Sequence, residues 1–239
     1  MQPIRPDWSL PGIQAISTTR AGGVSVGPWA SLNLGATCGD DPVAVARNRR
    51  RLQELLPGPP RWLRQVHGKR VVHLDDWHAD VEADAAWTDR PGQVVAIQTA
   101  DCLPVVLADR EARLVAAAHA GWRGLAADVL GHLVASLPVP PDRLVAWIGP
   151  GIGPERYRVG EEVRTAFEAL DGALARAFAE NDAGEIRADL KLAARGLLLR
   201  AGVSQVLDSG LCTASDAGRF FSHRRDGPCG RMATLAWIE

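Results

Sequence analysis

The sequence predicts an α/β (α+β) fold: a single layered domain over residues 1–239, with a mixed central β-sheet flanked by helices. Three observations predict it. Apolar, β-branched runs recur along the chain, several without polar alternation, as in strands covered on both faces. Between them lie segments with leucine and alanine spaced for one buried helical face. A chain of 239 residues buries a sizeable core as one unit, and its 24 glycines and 16 prolines punctuate many short elements.

The elements follow in order. The first eleven residues carry Pro3, Arg5, Pro6 and Asp7 and no apolar core, so they do not read as a signal peptide. Residues 15–35 contain the glycine- and serine-rich run Thr18-Thr19-Arg20-Ala21-Gly22-Gly23-Val24-Ser25. It is too polar for a buried helix and too long for a simple turn, and it is expected to loop over a site. Asp41-Pro42 reads as N-cap and first helical residue of a helix to about Leu56, with Val43, Ala46, Leu52 and Leu55 beside a solvated basic face of Arg47, Arg49, Arg50 and Arg51.

Strands are expected at 61–74, 93–99, 103–108, 113–119 and 143–148, and helices at 124–136, 160–170 and 189–201. Pro138, Pro140 and Pro141 end the first of those helices. Residues 219–223 and 232–238 read as two strands joined through 224–231, where Asp226-Gly227 supplies turn chemistry.

Charge and cysteine usage narrow the function classes. With 27 basic and 28 acidic residues the net charge is −1, which gives no field to attract nucleic acid or an anionic membrane. No stretch approaches a transmembrane span. Cys38, Cys102, Cys212 and Cys229 are sparse and form no CxxC pair, which fits a reducing cytoplasm better than a disulfide framework or a zinc knuckle. A small-molecule partner is expected.

The chemistry concentrates in Gln65-Val66-His67-Gly68, Thr99-Ala100-Asp101-Cys102 and His119-Ala120-Gly121-Trp122-Arg123-Gly124. Each follows or ends a strand-like run. Two imidazoles and a thiolate make a three-ligand set suited to zinc, with a fourth position open for water or substrate. Taken singly, His67 reads equally as a core histidine, Cys102 as a small buried hydrophobe and His119 as a helix-entry residue. Their positions favour a site: Asp101 is costly to bury unpaired, and strand ends leading into helices are where α/β sites collect. A thiol there meets a helix start or an imidazolium, and either favours thiolate.

Arg123 at a helix start is a candidate anion anchor, with a salt bridge to Asp128 or Asp101 as the alternative. His223-Arg224-Arg225-Asp226 reads as a loop that binds phosphate or carboxylate, or as a solvated loop. His73, His78 and His132 read as surface or structural. Trp87, Trp122 and Trp147 read as core more readily than as base-stacking platforms. Gly149-Pro150-Gly151-Ile152-Gly153-Pro154 lacks the spacing of a dinucleotide or P-loop motif.

Together these segments resemble the YfiH-like, laccase-domain family, known as polyphenol oxidases and as purine nucleoside phosphorylases. The likeness runs nearly end to end and also takes in Ser31-Leu32-Asn33-Leu34-Gly35, Gly39-Asp40-Asp41-Pro42, Ala83-Asp84-Ala85 and Phe220-Phe221-Ser222-His223-Arg224-Arg225-Asp226-Gly227. It implies a layered α/β fold with a metal site, usually zinc, on His67, Cys102 and His119. It also implies phosphorolysis of adenosine, inosine and S-methyl-5′-thioadenosine, with deamination of adenosine. The chain departs from the family in carrying Glu155 and Arg156 where two cysteines are common, and His223 where a tyrosine usually precedes the double arginine.

For that chemistry Arg20, Arg123 and Arg224 are the expected phosphate anchors, Gln65 a substrate contact, and Asp101 or His119 a proton carrier. Deamination would use water activated by the metal. The laccase label implies copper, but a multi-copper oxidase needs many paired histidines, and six without an HxH pair do not supply them. A cysteine hydrolase with Cys102 as nucleophile, His119 as base and His67 or Asp101 as orienter is the metal-free alternative. A non-enzymatic binding protein is a third class. Oligomeric state is left open between monomer and homodimer.

Overall fold

The apolar runs do form strands, and the α/β class holds, but the strands divide between two stacked sheets and a small third one. The structure is a computed structural model that describes residues 2–239. In chain order the elements are β1 (Ile13–Ser17), α1 (Pro42–Gln53), β2 (Pro60–Trp62), β3 (Val71–His73), β4 (Ala85–Thr88), β5 (Val94–Thr99), β6 (Leu103–Asp109), β7 (Val115–Ala120), α2 (Trp122–Ala126), α3 (Val129–Ser136) and β8 (Leu144–Ile148). There follow β9 (Arg158–Val159), α4 (Glu161–Leu170), β10 (Phe178–Glu180), β11 (Ile186–Ala188), α5 (Leu190–Arg200), β12 (Gln205–Asp208), α6 (His223–Asp226) and β13 (Met232–Ile238). Among the described residues no helix is long and apolar enough to cross a membrane.

A six-stranded mixed sheet has the order β12-β8-β6-β7-β4-β3, and a four-stranded mixed sheet the order β1-β13-β5-β2. Strand periodicity sorts their side chains into layers. Leu103, Val105 and Leu107 of β6, with Ala116 and Ala118 of β7, pack against Leu130, Leu133, Val163, Phe167, Leu197 and Leu198 of the helices. The alternate residues Val106, Ala108, Val115, Ala117 and Trp147 meet Ile13, Val95, Ile97, Ala236 and Ile238 of the second sheet. On that sheet's far side Ile16, Val94, Ala96, Leu235 and Trp237 are covered by Leu52 of α1 and by Leu32 and Leu34. The layers therefore run helices, sheet, sheet, helix. The central strands are uniformly apolar because both of their faces are covered.

Several expected boundaries shift. The run at 61–74 is not one strand: β2 joins the second sheet, β3 joins the first, and the loop between them carries His67. The helix expected at 124–136 is two, because Asp128 adopts φ +61° and caps α3 with its side chain accepting from the Gly131 amide. The long polar segment begins inside a strand, since 15–17 belong to β1. Its loop is pinned to α1 by the fully buried Asn48, whose amide accepts from the Val24 N–H and donates to Ser25 Oγ and the Ser31 and Asn33 carbonyls.

The C-terminal hairpin does not form. Residues 223–226 are a helical turn capped by Ser222, and β13 pairs antiparallel with β1 and β5 instead. Thr18 and Arg231 do supply the bridging contacts that close this sheet's end, through Ala233 N–H to Thr18 Oγ1 and Arg231 N–H to Asn33 Oδ1.

Candidate active site

β6 begins where β7 ends, and their antiparallel register places Leu103 opposite Ala120 and Pro104 opposite His119. Cys102, one residue before β6, thus lies beside Gly121, one residue after β7. The two are so close that a Cβ on Gly121 would sit 2.9 Å from Cys102 Sγ and 3.0 Å from His67 Cδ2. Glycine is required here by close approach and not by its backbone, whose φ is −74°. His67 arrives from the loop between β2 and β3 in a left-handed conformation, φ +60°.

The three expected ligands meet. One ligand atom each from His67, Cys102 and His119 lies within 4.8 Å of the others, and Cys102 Sγ is 3.9 Å from His67 Nε2. Tetrahedral zinc, with its ordinary Zn–S and Zn–N bonds, holds such a pair about 3.6 Å apart. The donor set and its spacing therefore fit a metal ion. The site grades from buried His119 through partly buried Cys102 to exposed His67, so its open side faces solvent. The two imidazoles stand edge to face with centroids 4.7 Å apart.

Asp84 organises this cluster, a role that sequence reading missed. Register extended by one residue from Ala85 and Ala118 sets it opposite His119, and it is fully buried. Its carboxylate accepts from the amides of Val66, His67 and Gly68 at 3.1, 2.9 and 2.7 Å, and lies 2.8 Å from His119 Nδ1. Burial pushes the acid up, but the His119 contact and the backbone amides outweigh it, and the pKa is lowered. An acid between alanines, in a run otherwise reading as strand, was the available signal.

The same electrostatics couple Cys102 to His119. Burial raises the thiol, but the His119 charge and the hydrogen bonds of both histidines override it and bring it from 9.0 down to about 6. Burial disfavours charge on His119 as well, yet the Cys102 thiolate and Asp84 raise it from 6.5 to about 9. Free of metal, the pair is a thiolate facing an imidazolium.

The other expected residues have these places. Asp101, at φ +92°, accepts from Thr213 Oγ1 at 2.6 Å, Ser222 Oγ at 3.0 Å and the Arg224 amide at 2.7 Å. Its Oδ2 holds the start of the α6 segment through Ser222 and Arg224, while Oδ1 is taken by Thr213. Gln65 spends its amide on the backbone of Gln98, as donor and acceptor at 2.8 Å each, so it fastens the His67 loop to β5. Arg20 donates to the Ala30 and Ala217 carbonyls and lies over Phe221.

Arg224 donates to the Arg158 carbonyl and lies over Tyr157 with its guanidinium carbon 4.8 Å from the ring centroid. Arg123 is exposed, stacks on Trp122, and pairs with neither Asp128 nor Asp101: Asp128 binds Arg200 instead. Tyr157, the chain's single tyrosine, was not singled out from the sequence. It is pushed up to about 12 by burial and by the Cys102 and Asp101 charges, against the pull of Arg224 and Arg123, so all five groups share one neighbourhood.

Trp147 is core, and Trp87 packs on His73 with centroids 4.3 Å apart. His73 faces Asp89, His132 the Asp128 carbonyl, and exposed His223 the Gly227 carbonyl. Among the described residues His67, Cys102 and His119 form the one cluster of three or more such side chains able to hold a metal.

The chain is similar to known proteins over nearly its whole length. The family described as multi-copper polyphenol oxidoreductase laccase matches residues 14–239. A purine nucleoside phosphorylase of Pseudomonas aeruginosa is 50% identical over 99% of this chain and 98% of its own length. The purine nucleoside phosphorylase YfiH of Escherichia coli is 47% identical, with 98% of each chain covered. A solved structure, Neisseria meningitidis protein NMB0706, superposes with TM-score 0.97 at 41% identity over the full length of both chains. YlmD of Geobacillus stearothermophilus superposes with TM-score 0.90 at 37% identity, covering 96% of this chain and 93% of its own.

Proposed function

The chain belongs to the YfiH-like, laccase-domain family, and from that premise we propose that it is a purine nucleoside phosphorylase. The substrates we assign are adenosine, inosine and S-methyl-5′-thioadenosine with phosphate, and adenosine is also deaminated. The observation that carries this reading is the meeting of His67, Cys102 and His119 at the open end of β6 and β7, in a chain about half identical to proteins bearing that name. Zinc is the metal we assign, on the two-nitrogen, one-sulfur donor set; copper is the competing occupant. A multi-copper centre needs further ligand clusters, and none accompanies this one among the described residues.

In phosphorolysis a phosphate oxygen bonds to the ribosyl C1′ while the bond from C1′ to the purine nitrogen breaks, and the base leaves with that electron pair and takes up a proton. His67, Cys102 and His119 would hold the ion, which would supply a Lewis acid for developing charge and for water activation in deamination. Asp84 keeps the His119 proton at Nδ1. Arg123, whose guanidinium meets no carboxylate, and Arg224, beside Tyr157, are the anchors assigned to phosphate, with Arg20 as a third. Asp101 orients Arg224 through its backbone amide. Holding the substrate between these groups would convert an encounter into a positioned reaction.

Chromatographic analysis of products from the three nucleosides, with and without phosphate, tests the reading. Free base and ribose 1-phosphate are expected, dependent on phosphate and lost in Cys102→Ala, with inosine formed from adenosine. Intact nucleosides under all conditions overturn it. One observation favours a second reading, a cysteine hydrolase: Cys102, His119 and Asp84 stand in the order nucleophile, base and orienting acid, with Asp84 taking the place expected for His67 or Asp101. Amide or ester turnover that survives chelation would select it.

A further inference from the structure

The loop that carries His67 and the strand that carries His119 are 52 positions apart in sequence, so something other than local geometry must bring both imidazoles to one ion. A single carboxylate meets both. Asp84 Oδ1 is shared between the His67 amide and His119 Nδ1, and Oδ2 between the Val66 and Gly68 amides. Three consecutive N–H groups converging on one anion form a nest, the concavity that a left-handed residue within the run makes possible. His67 itself is that residue, at a conformation unfavourable for a non-glycine side chain. The nest therefore supplies the reason for the strained φ: His67 is turned toward the site by the same acid that receives the His119 proton. The Asp84 carbonyl also accepts from the His119 amide, so strand pairing holds the second imidazole in place.

We infer that Asp84 is the positioning residue of the site: it sets the backbone of His67 and the ring orientation of His119 together, so that both present nitrogens toward Cys102 before any ion arrives, and it keeps the remaining proton on Nδ1 once the Nε2 proton is displaced. The inference deepens the metal reading above and rests on it. A carboxylate partner to a metal-bound histidine fixes its ring and raises its basicity, and losing such a partner costs about 10–100-fold in metal affinity.

Asparagine at position 84 is nearly isosteric but has one acceptor too few. If its oxygen serves the nest, its NH₂ faces His119 Nδ1 and selects the tautomer with the proton on Nε2, the nitrogen needed for the metal. If it turns the other way, the NH₂ opposes the amides of Val66 and Gly68 and the nest opens.

The test uses zinc alone and no substrate, so it is independent of which nucleoside is turned over. Zinc affinity by competition against a chromogenic chelator, and the charge-transfer and ligand-field bands of the cobalt-substituted protein, are compared between wild type and Asp84→Asn. The expected result is a 10–100-fold loss of zinc affinity with altered cobalt bands and an unchanged far-UV spectrum. A purely structural acid lowers the melting temperature and leaves the affinity of the folded protein within twofold; that outcome overturns the inference. Absence of zinc binding by the wild type overturns it also.

Should Asp84→Asn fail to fold, long-range proton–nitrogen correlation spectra of the zinc-loaded wild type decide. A proton on His119 Nδ1 is expected, and a proton on Nε2 refutes the assignment. Loss of zinc affinity in Asp84→Asn without nucleoside turnover in the wild type would leave this inference standing and remove the phosphorylase reading.

Discussion

At the scale of single residues the site is a proton-sharing device, and its pH behaviour follows from two opposed shifts. Cys102 has its folded pKa depressed, so its contribution to stability is present above the ordinary 9.0 and declines as pH falls through about 6. His119 has its folded pKa raised, so its contribution is complete below the ordinary 6.5 and is lost as pH rises through about 9. Between those limits folding moves one proton from sulfur to nitrogen without net uptake or release, and the pair adds almost no pH dependence to stability. Its charge state is visible through the thiolate. In metal-free protein, the rate of Cys102 alkylation, followed by peptide mass analysis, is expected to rise with a midpoint near pH 6 and to level off well before 9. In His119→Ala the midpoint should move upward by more than one unit; a wild-type midpoint near 9 would show that the imidazolium does not act on the sulfur.

At the scale of elements the decisive feature is the end of the β6 and β7 pair. A strand that stops at Ala120 and a helix that starts at Trp122 leave only Gly121 between them, and that residue packs against Cys102 and His67. Gly121→Ala is compatible with the backbone at φ −74°, yet its methyl group must displace Cys102 Sγ or His67. We expect the variant to keep its far-UV spectrum and melting temperature nearly unchanged while nucleoside turnover falls about 10²-fold, the cost of misplacing a reacting group by about 1 Å. Activity within threefold of wild type would show that the site tolerates the shift. The elements themselves were largely legible. The uniform apolar runs of β5 to β8 and the Asp41-Pro42 helix start survive in the structure, because local propensity and burial agree there. The run at 61–74 misled because two short edge strands of different sheets share one β-rich stretch, and periodicity does not register the loop between them. The C-terminal hairpin misled because Asp226-Gly227 ends a helical turn capped by Ser222 as readily as it turns a hairpin.

At the scale of the whole molecule, two stacked sheets share a core in which Trp147 is the largest side chain, and the ends of their strands present the site. Trp147→Ala is expected to lower stability by about 3–5 kcal/mol, measured by denaturant unfolding, through the lost apolar contact and the cavity it leaves between the sheets. A loss below 1 kcal/mol would mean that the sheets close over the gap. His67, Cys102 and His119 stand out in the sequence because apolar runs end there in reactive side chains, and the structure brings the three together; the α/β class is likewise legible in the spacing of the apolar runs. How those residues are held follows from packing between distant segments. Asp84 reaches His119 across 35 positions, and Asp101 reaches Thr213 and Ser222 across 112 and 121. Such carboxylates leave a weak mark in the sequence, because a buried acid is identified by the donors that satisfy it, and those donors are backbone amides and hydroxyl groups brought near by strand register and layer packing.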